Sequence, residues 1–177
     1  MKLKIICGQL EITPGRPDVN YKKIIDAIEK ARSLEADILL LPEMALPGYL
    51  IGDIWEQQTF LDDCTYYAEK IVAATENICV IFGSVATEPG KLNEDGRVRK
   101  YNAAFACQNG KLLGGYQGRS FFIKTSLPNY REFDDCGHFS SLQKICSEEG
   151  ASVSEALQPL EIVIRGTSLR IGVMLCE

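Results

Sequence analysis

Apolar and polar residues alternate over residues 2 to 12, "KLKIICGQLEI", which predicts a strand with Leu3, Ile5 and Cys7 on one face and Lys2, Lys4 and Ile6 on the other. The breaker run "TPGRPD" ends it. The period then lengthens: Val19, Ile24, Ile25, Ile28, Ala31 and Leu34 recur at helical spacing, with Asp18 as the expected N-cap. "ADILLLP" follows as a short buried strand closed by Pro42, completing a β-α-β opening. A second helix is expected in "IWEQQTFLDDCTYYAEKIVAATE", and it delivers the chain to "NICVIFGSVA", another buried strand.

The pattern then changes character. In "YNAAFACQNGKLLGGYQG" the pair Asn109-Gly110 separates two strand-like runs, a strong hairpin signal. "LEIVIRGTSLRIGVMLCE" predicts a second hairpin turning at Gly166-Thr167. The polar stretch "HFSSLQKICSEEGASVSEALQP" between them has no assignable period. Alternating strands and helices followed by hairpins predict an α/β chain with a mixed sheet and helices on its outer face. No repeat, low-complexity tract or linker divides it, so residues 1–177 form one structural unit.

Composition narrows the function. Hydrophobic residues make up 46% and charged residues 24%, as in ordinary folded domains. A net charge of −5 without any long basic run leaves no footprint for nucleic acid or for an anionic membrane, and favours a small-molecule substrate. No stretch approaches the roughly 20 apolar residues of a membrane helix, and the start is too regularly alternating for a signal peptide. The seven cysteines contain no CxxC pair, the pattern of free thiols in a reducing compartment, so a cytoplasmic location is expected. The one histidine, His138, excludes a His-rich metal centre, and no metal is expected.

With histidine so scarce, acid, base and oxyanion work falls to Glu, Asp, Lys and backbone amides. Three candidates stand where apolar strands end: Glu43 in "LLLPEMALPGY", Lys124 in "SFFIKTSLPNYREF", and Cys176 in "GVMLCE". Each alone has a plain structural reading: a polar residue past a strand end, a solvated lysine, an inert buried thiol. Together they form a chemical set. A thiol with a pKa near ~8.5 needs a base or a cation to act at neutral pH. A desolvated carboxylate can take the proton, and an ammonium can stabilise both thiolate and oxyanion.

In that order the three segments resemble the signature segments of the nitrilase (carbon-nitrogen hydrolase) superfamily, and the resemblance runs from residue 1 to residue 177. Within it, "GYLIGDIWEQQTFLDD" and "LPNYREF" are similar to the N-terminal glutaminase domain of glutamine-dependent NAD+ synthetases. The resemblance implies Glu43 as general base, Lys124 as transition-state stabiliser and Cys176 as the nucleophile that forms a γ-glutamyl thioester and releases ammonia from glutamine. It implies Glu132 as a supporting second glutamate, Tyr49 and Tyr130 as lining of the glutamine pocket, and Glu177 as a substrate contact and oxyanion-hole amide. The chain departs from the pattern after "YREF", where "DDCGHF" keeps an acidic residue, Asp135, but has Gly137 where an arginine is common.

The same resemblance implies a four-layer α-β-β-α sandwich of which this chain holds an incomplete, N-terminal part, ending just after the nucleophile. ATP and Mg would then bind a synthetase domain outside it, and no cofactor is expected here: "GKLLGG" sits in a hairpin, and no GxxxxGK[ST] phosphate loop occurs. An exposed sheet face predicts self-association into a homo-oligomer, and little activity from the piece alone. The alternatives are a stand-alone amidase acting on a small ω-amide or carbamoyl compound, and a non-catalytic assembly module.

Overall fold

The computed structural model describes residues 2–176, so Glu177 lies outside the described residues. β1 (Ile5–Cys7), α1 (Pro17–Ser33) and β2 (Ile38–Leu40) form the expected β-α-β opening. Only three residues of the "KLKIICGQLEI" run pair as strand; past Cys7, one further bond joins Gly8 N–H to the Leu40 carbonyl at 2.8 Å, and Leu10 and Ile12 then pack against the helix-side core. α1 begins earlier than its apolar pattern does. Pro17 has the φ of a first helical turn and no N–H to leave unpaired. Arg16 therefore takes the cap position, and Asp18 sits inside the first turn, bonded to the Arg16 guanidinium at 2.8 Å.

A short 3-10 helix (Gly52–Glu56) leads into α2 (Gln58–Ala73), whose Phe60, Leu61, Cys64, Ala68 and Ile71 share one buried face. β3 (Cys79–Leu92) and β4 (Val98–Gln108) then make a long antiparallel hairpin. β3 runs past Ala86, where the apolar signal ends, because its outer residues from Pro89 to Leu92 are solvated on both faces and carry no alternation. β1, β2 and β3 pair in parallel, while β5 (Lys111–Leu112) and β6 (Phe122–Ile123) share the far edge of β4, giving a mixed six-stranded sheet. The β4–β5 turn is Asn109-Gly110, with φ of 52° and 75°.

The stretch without a period contains α3 (Asp135–His138), α4 (Leu142–Glu149) and α5 (Val153–Ala156). Serines start the last two: Ser141 accepts from Lys144 N–H, and Ser152 forms a capping box with Glu155. β7 (Leu160–Ile164) and β8 (Thr167–Ile171) form the final hairpin. Its turn is Arg165-Gly166, one residue before the expected Gly166-Thr167, with φ of 49° and 75°. A β-branched threonine is strained at positive φ, so Thr167 opens the strand instead.

Side chains alternate across the β3–β4 hairpin and define two cores. Phe82, stacked on Phe105, and Val80 face Ile24, Ile28 and Ile71 of α1 and α2; further along this face Tyr101 and Ala103 meet Leu142 and Ile145 of α4. The opposite face carries Cys79, Ile81, Ala104 and Ala106, covered by Leu160, Ile162 and Ile164 of β7. Helices, sheet and an overlying hairpin are three layers of the α-β-β-α arrangement, with the second sheet begun by β7 and β8.

Candidate active site

On the hairpin-covered face, β4 reads Ala106, Ala104, Asn102, Lys100: two apolar positions, then two polar ones, all buried. The site is built where this change occurs. After β2 the chain crosses the sheet at Pro42 and folds Glu43 and Met44 down onto Gly83 of β3, with Gly83 N–H bonded to the Pro42 carbonyl and Leu46 N–H to the Gly83 carbonyl, both at 3.1 Å. A Cβ on Gly83 would lie 2.3 Å from Met44 N and 2.6 Å from Glu43 Cα. Gly83→Ala is therefore expected to cost about 2 kcal/mol of stability and to lift Glu43 off the sheet. Chemical denaturation checks this; an unchanged unfolding midpoint would refute the contact.

Asn102 Nδ2 donates to Glu43 Oε1 at 2.6 Å, orienting the carboxylate. Lys124 follows β6, its backbone N–H bonded to the Asn102 carbonyl at 2.9 Å. Its side chain is 2% exposed, and its Nζ donates to Glu43 Oε1 at 2.7 Å, Tyr49 Oη at 3.3 Å and Asp135 Oδ2 at 3.3 Å. Tyr49 in turn donates to Asp135 Oδ2 at 2.5 Å. Burial opposes the charge on Lys124, but its bond to Glu43 and the charges of Glu43, Asp135 and Cys176 outweigh it, so its pKa is raised and the ammonium persists. Burial, reinforced by the bond to Asp135, pushes the Tyr49 hydroxyl up as well, so it acts as a neutral donor.

Burial sorts the seven thiols. Cys64, Cys79, Cys107 and Cys146 are enclosed, and desolvation lifts Cys64 and Cys107 to about 12 and Cys79 to about 11, which removes them as nucleophiles at neutral pH. Cys7, Cys136 and Cys176 are exposed. Each opens on different surroundings, and it is Cys176 that lines the same cavity as Glu43, a space of about 330 Å³ floored by Ile81, Gly83 and Ala104. Cys176 has a φ of 56°, a left-handed turn that a non-glycine residue adopts at some energetic cost. Glu43 and Cys176 thus line one cleft, and the buried Lys124 ammonium is bonded to Glu43 beside it; a carboxylate, an ammonium and a thiol so grouped are a set that acyl transfer from an amide can use.

The other expected residues are placed differently. Glu132 is exposed and lines a neighbouring cavity of about 230 Å³ with Trp55 and His138; the second carboxylate on Lys124, beside that of Glu43, is Asp135. Tyr130 is 56% exposed and stacks edge-on against Phe133, which packs against Tyr49. Glu177 lies outside the described residues. Sequence reasoning missed Asn102 and the contact made by Asp135. The signal for Asn102 was a lone amide in the apolar run "YNAAFAC", and that for Asp135 an acidic residue three positions after Glu132. Among the described residues no group of three His, Cys, Asp or Glu side chains is placed to hold a metal, and no helix is long and apolar enough to cross a membrane.

Comparison with known proteins gives the chain its family and fold. A family model described as carbon-nitrogen hydrolase matches residues 4–177. A glutamine-dependent NAD(+) synthetase of Thermotoga maritima is 29% identical over 178 residues, covering 99% of this chain and 26% of the relative. A 2-oxoglutaramate amidase of Bacillus subtilis is 32% identical over 126 residues, covering 69% of this chain and 44% of the amidase. The solved glutamine-dependent NAD+ synthetase of Acinetobacter baumannii superposes with a TM-score of 0.69 at 24% identity, covering 95% of this chain and 27% of that one, which shows a shared fold. The chain spans about a quarter of the length of the synthetases it matches.

Proposed function

The chain belongs to the carbon-nitrogen hydrolase family, and from that premise we propose that it is the glutaminase part of an ammonia-supplying enzyme, hydrolysing the side-chain amide of glutamine with Glu43, Lys124 and Cys176. The observation that carries this reading is the Glu43–Lys124 pair, 2.7 Å apart beside the cavity that Cys176 lines. Glu43 takes the proton from the Cys176 thiol as its sulfur attacks the amide carbon. The carbonyl oxygen becomes an oxyanion beside the Lys124 ammonium, whose charge the surrounding carboxylates maintain. The amide C–N bond then breaks, and Glu43 returns the proton to the departing nitrogen, giving ammonia and a γ-glutamyl thioester. Glu43 next deprotonates a water that attacks the thioester, restoring the thiol and releasing glutamate. Tyr49, fixed by Asp135 and bonded to Lys124, borders this centre from the neighbouring cavity that Glu132 and His138 also line.

The similarity to synthetases over nearly the whole chain supports assigning the ammonia to the conversion of deamido-NAD+ to NAD+, with ATP and Mg handled by a separate synthetase domain. Seven free thiols suit a cytoplasmic setting. The exposed Ile5 and Leu40 on the open β1–β2 side are the surface on which self-association would bury apolar area. A second reading, a stand-alone amidase taking a small ω-amide, is favoured by the match to the 2-oxoglutaramate amidase. Both readings share the thioester chemistry and differ in the substrate's α-substituent.

The test is alkylation of the native polypeptide by the diazoketone analogue of glutamine, followed by peptide mapping. Cys176 is expected to react at least about a hundredfold faster than the exposed Cys7 and Cys136, since it shares its cavity with Glu43, to which the buried Lys124 is bonded. Protection by glutamine supports the glutaminase reading, and protection by 2-oxoglutaramate alone supports the amidase. Equal rates at the three thiols would defeat both.

A further inference from the structure

A second buried lysine lies beside the first and the proposed chemistry does not use it. Lys100 precedes Asn102 by two residues on the same face of β4, about 7 Å along the strand. Its side chain is 2% exposed, and its Nζ donates to Glu56 Oε2 at 2.7 Å. The other oxygen, Glu56 Oε1, contacts His138 Nδ1 at 3.0 Å and Arg97 Nη1 at 3.4 Å. A carboxylate only accepts, so the His138 proton at this contact sits on Nδ1. Burial opposes ionisation of Glu56, but the bonds from Lys100 and His138 and the charges of Lys100 and Arg97 outweigh it and hold the carboxyl low.

This cluster repeats the composition of the first one. Lys124, Asp135 and Tyr49 form one rung; Lys100, Glu56 and His138 form the other. Both rungs tie together the same two segments, residues 49–56 and residues 135–138, and both are anchored on the sheet. The second segment is α3, a single turn of four residues. One turn has no stability of its own. Asp135 and His138 are its first and last residues, about 4.5 Å apart along the axis, so each rung holds one end. Around the His138 end, Ser140 N–H bonds the Lys100 carbonyl at 2.8 Å, and Phe139 packs edge-on against Trp55 with centroids 4.9 Å apart. A buried ion pair is no better for stability than two well-packed apolar residues, so its presence beside the site asks for a positional role.

We propose that Glu56, clamped between Lys100 and His138, is a positioning residue for Lys124: it fixes the far end of α3 so that Asp135, at the near end, meets the lysine and Tyr49. Neither Glu56 nor His138 lines the cavity that Glu43 and Cys176 share. They act through Asp135, which shares the Lys124 ammonium with Glu43. The inference rests on the hydrolase reading above, and its test separates the two.

Alkylation of Cys176 by the diazoketone analogue of glutamine is measured in the native polypeptide for His138→Ala, His138→Asn, Asp135→Asn and the double variant Asp135→Asn/His138→Ala. Substitutions at His138 are preferred to Glu56→Ala, which strands the buried Lys100 charge and invites misfolding. His138→Ala is expected to slow labelling about tenfold. His138→Asn, whose amide nitrogen replaces Nδ1, restores the rate. The double variant is no slower than Asp135→Asn alone, because the latch works only through that carboxylate. Wild-type labelling by His138→Ala, or a double-variant loss equal to the product of the single losses, overturns the inference and leaves the hydrolase reading standing. Wild-type Cys176 reacting no faster than Cys7 and Cys136 overturns the hydrolase reading and the latch with it.

Discussion

Glu43→Gln is expected to lower turnover about a thousandfold while the protein remains folded. The substitution keeps the shape. The amide oxygen can occupy the place of Oε1 and accept from Asn102 and Lys124, so both of those contacts survive. What disappears, in the mechanism proposed above, is the ability to take a proton from Cys176 and deliver it to the leaving nitrogen. Because the proton moves only during reaction, the loss falls on kcat and leaves KM near the wild-type value. Alkylation of Cys176 by the diazoketone analogue falls in parallel. A kcat within tenfold of wild type would remove Glu43 from the chemistry and reduce its contact with Lys124 to a structural ion pair.

Lys124→Met should also abolish turnover, but for reasons that reach the fold. The lysine is the cation shared by Glu43 and Asp135, and the Asp135 side chain is 4% exposed. Removing the ammonium leaves two neighbouring carboxylates without a counter-charge, with only the neutral donors Asn102 and Tyr49 left to them, at a cost of about 3–5 kcal/mol. The pH dependence identifies the charge responsible. A lysine whose folded pKa is raised stabilises the protein fully below its unfolded value of about 10.4, and that contribution is lost as pH rises through the higher folded value. The stability difference between wild type and Lys124→Met, followed by urea unfolding, should therefore keep its lysine contribution up to about pH 10 and lose it only above. A difference that closes between about pH 8 and 9 would mean that the Lys124 ammonium is not held as the contacts indicate.

The fold was legible in the sequence wherever one face of an element is buried and the other solvated. Ile24, Ile28 and Ile71 announce their helices, and Asn109-Gly110 its hairpin. Legibility failed where burial is not periodic. The outer half of β3 is wet on both faces, and α4 and α5 are too short for a helical period to accumulate, so only their serine caps speak for them. At the site, Glu43 and Lys124 stand out because each breaks an apolar run just past a strand, whereas Cys176, expected at the end of the last strand, stands five residues beyond β8 in irregular backbone. Asp135 does not stand out, since it sits in a run of polar residues where Glu132 and Asp134 are equal candidates. Its role depends on which carboxylate the turn of α3 points toward Lys124, and a linear pattern does not contain that direction. Lys100 and Glu56 lie forty-four positions apart and pair only because β4 carries one to the end of the 3-10 helix.

The arrangement of β4 and β6 has a consequence for the order in which the site comes into being. A polypeptide is made from its N-terminus, and its early parts can begin to fold before the later ones exist. Glu43, Asn102 and Lys124 belong to the six-stranded sheet and the loops at its strand ends, and Asp135 to α3 that follows it, whereas Cys176 comes after the separate hairpin of β7 and β8. The charged half of the site can therefore assemble first, with its ion pair already formed when the thiol arrives. Synthesis in this order keeps the Cys176 sulfur from meeting the Glu43 carboxylate until the sheet that holds Glu43 is built.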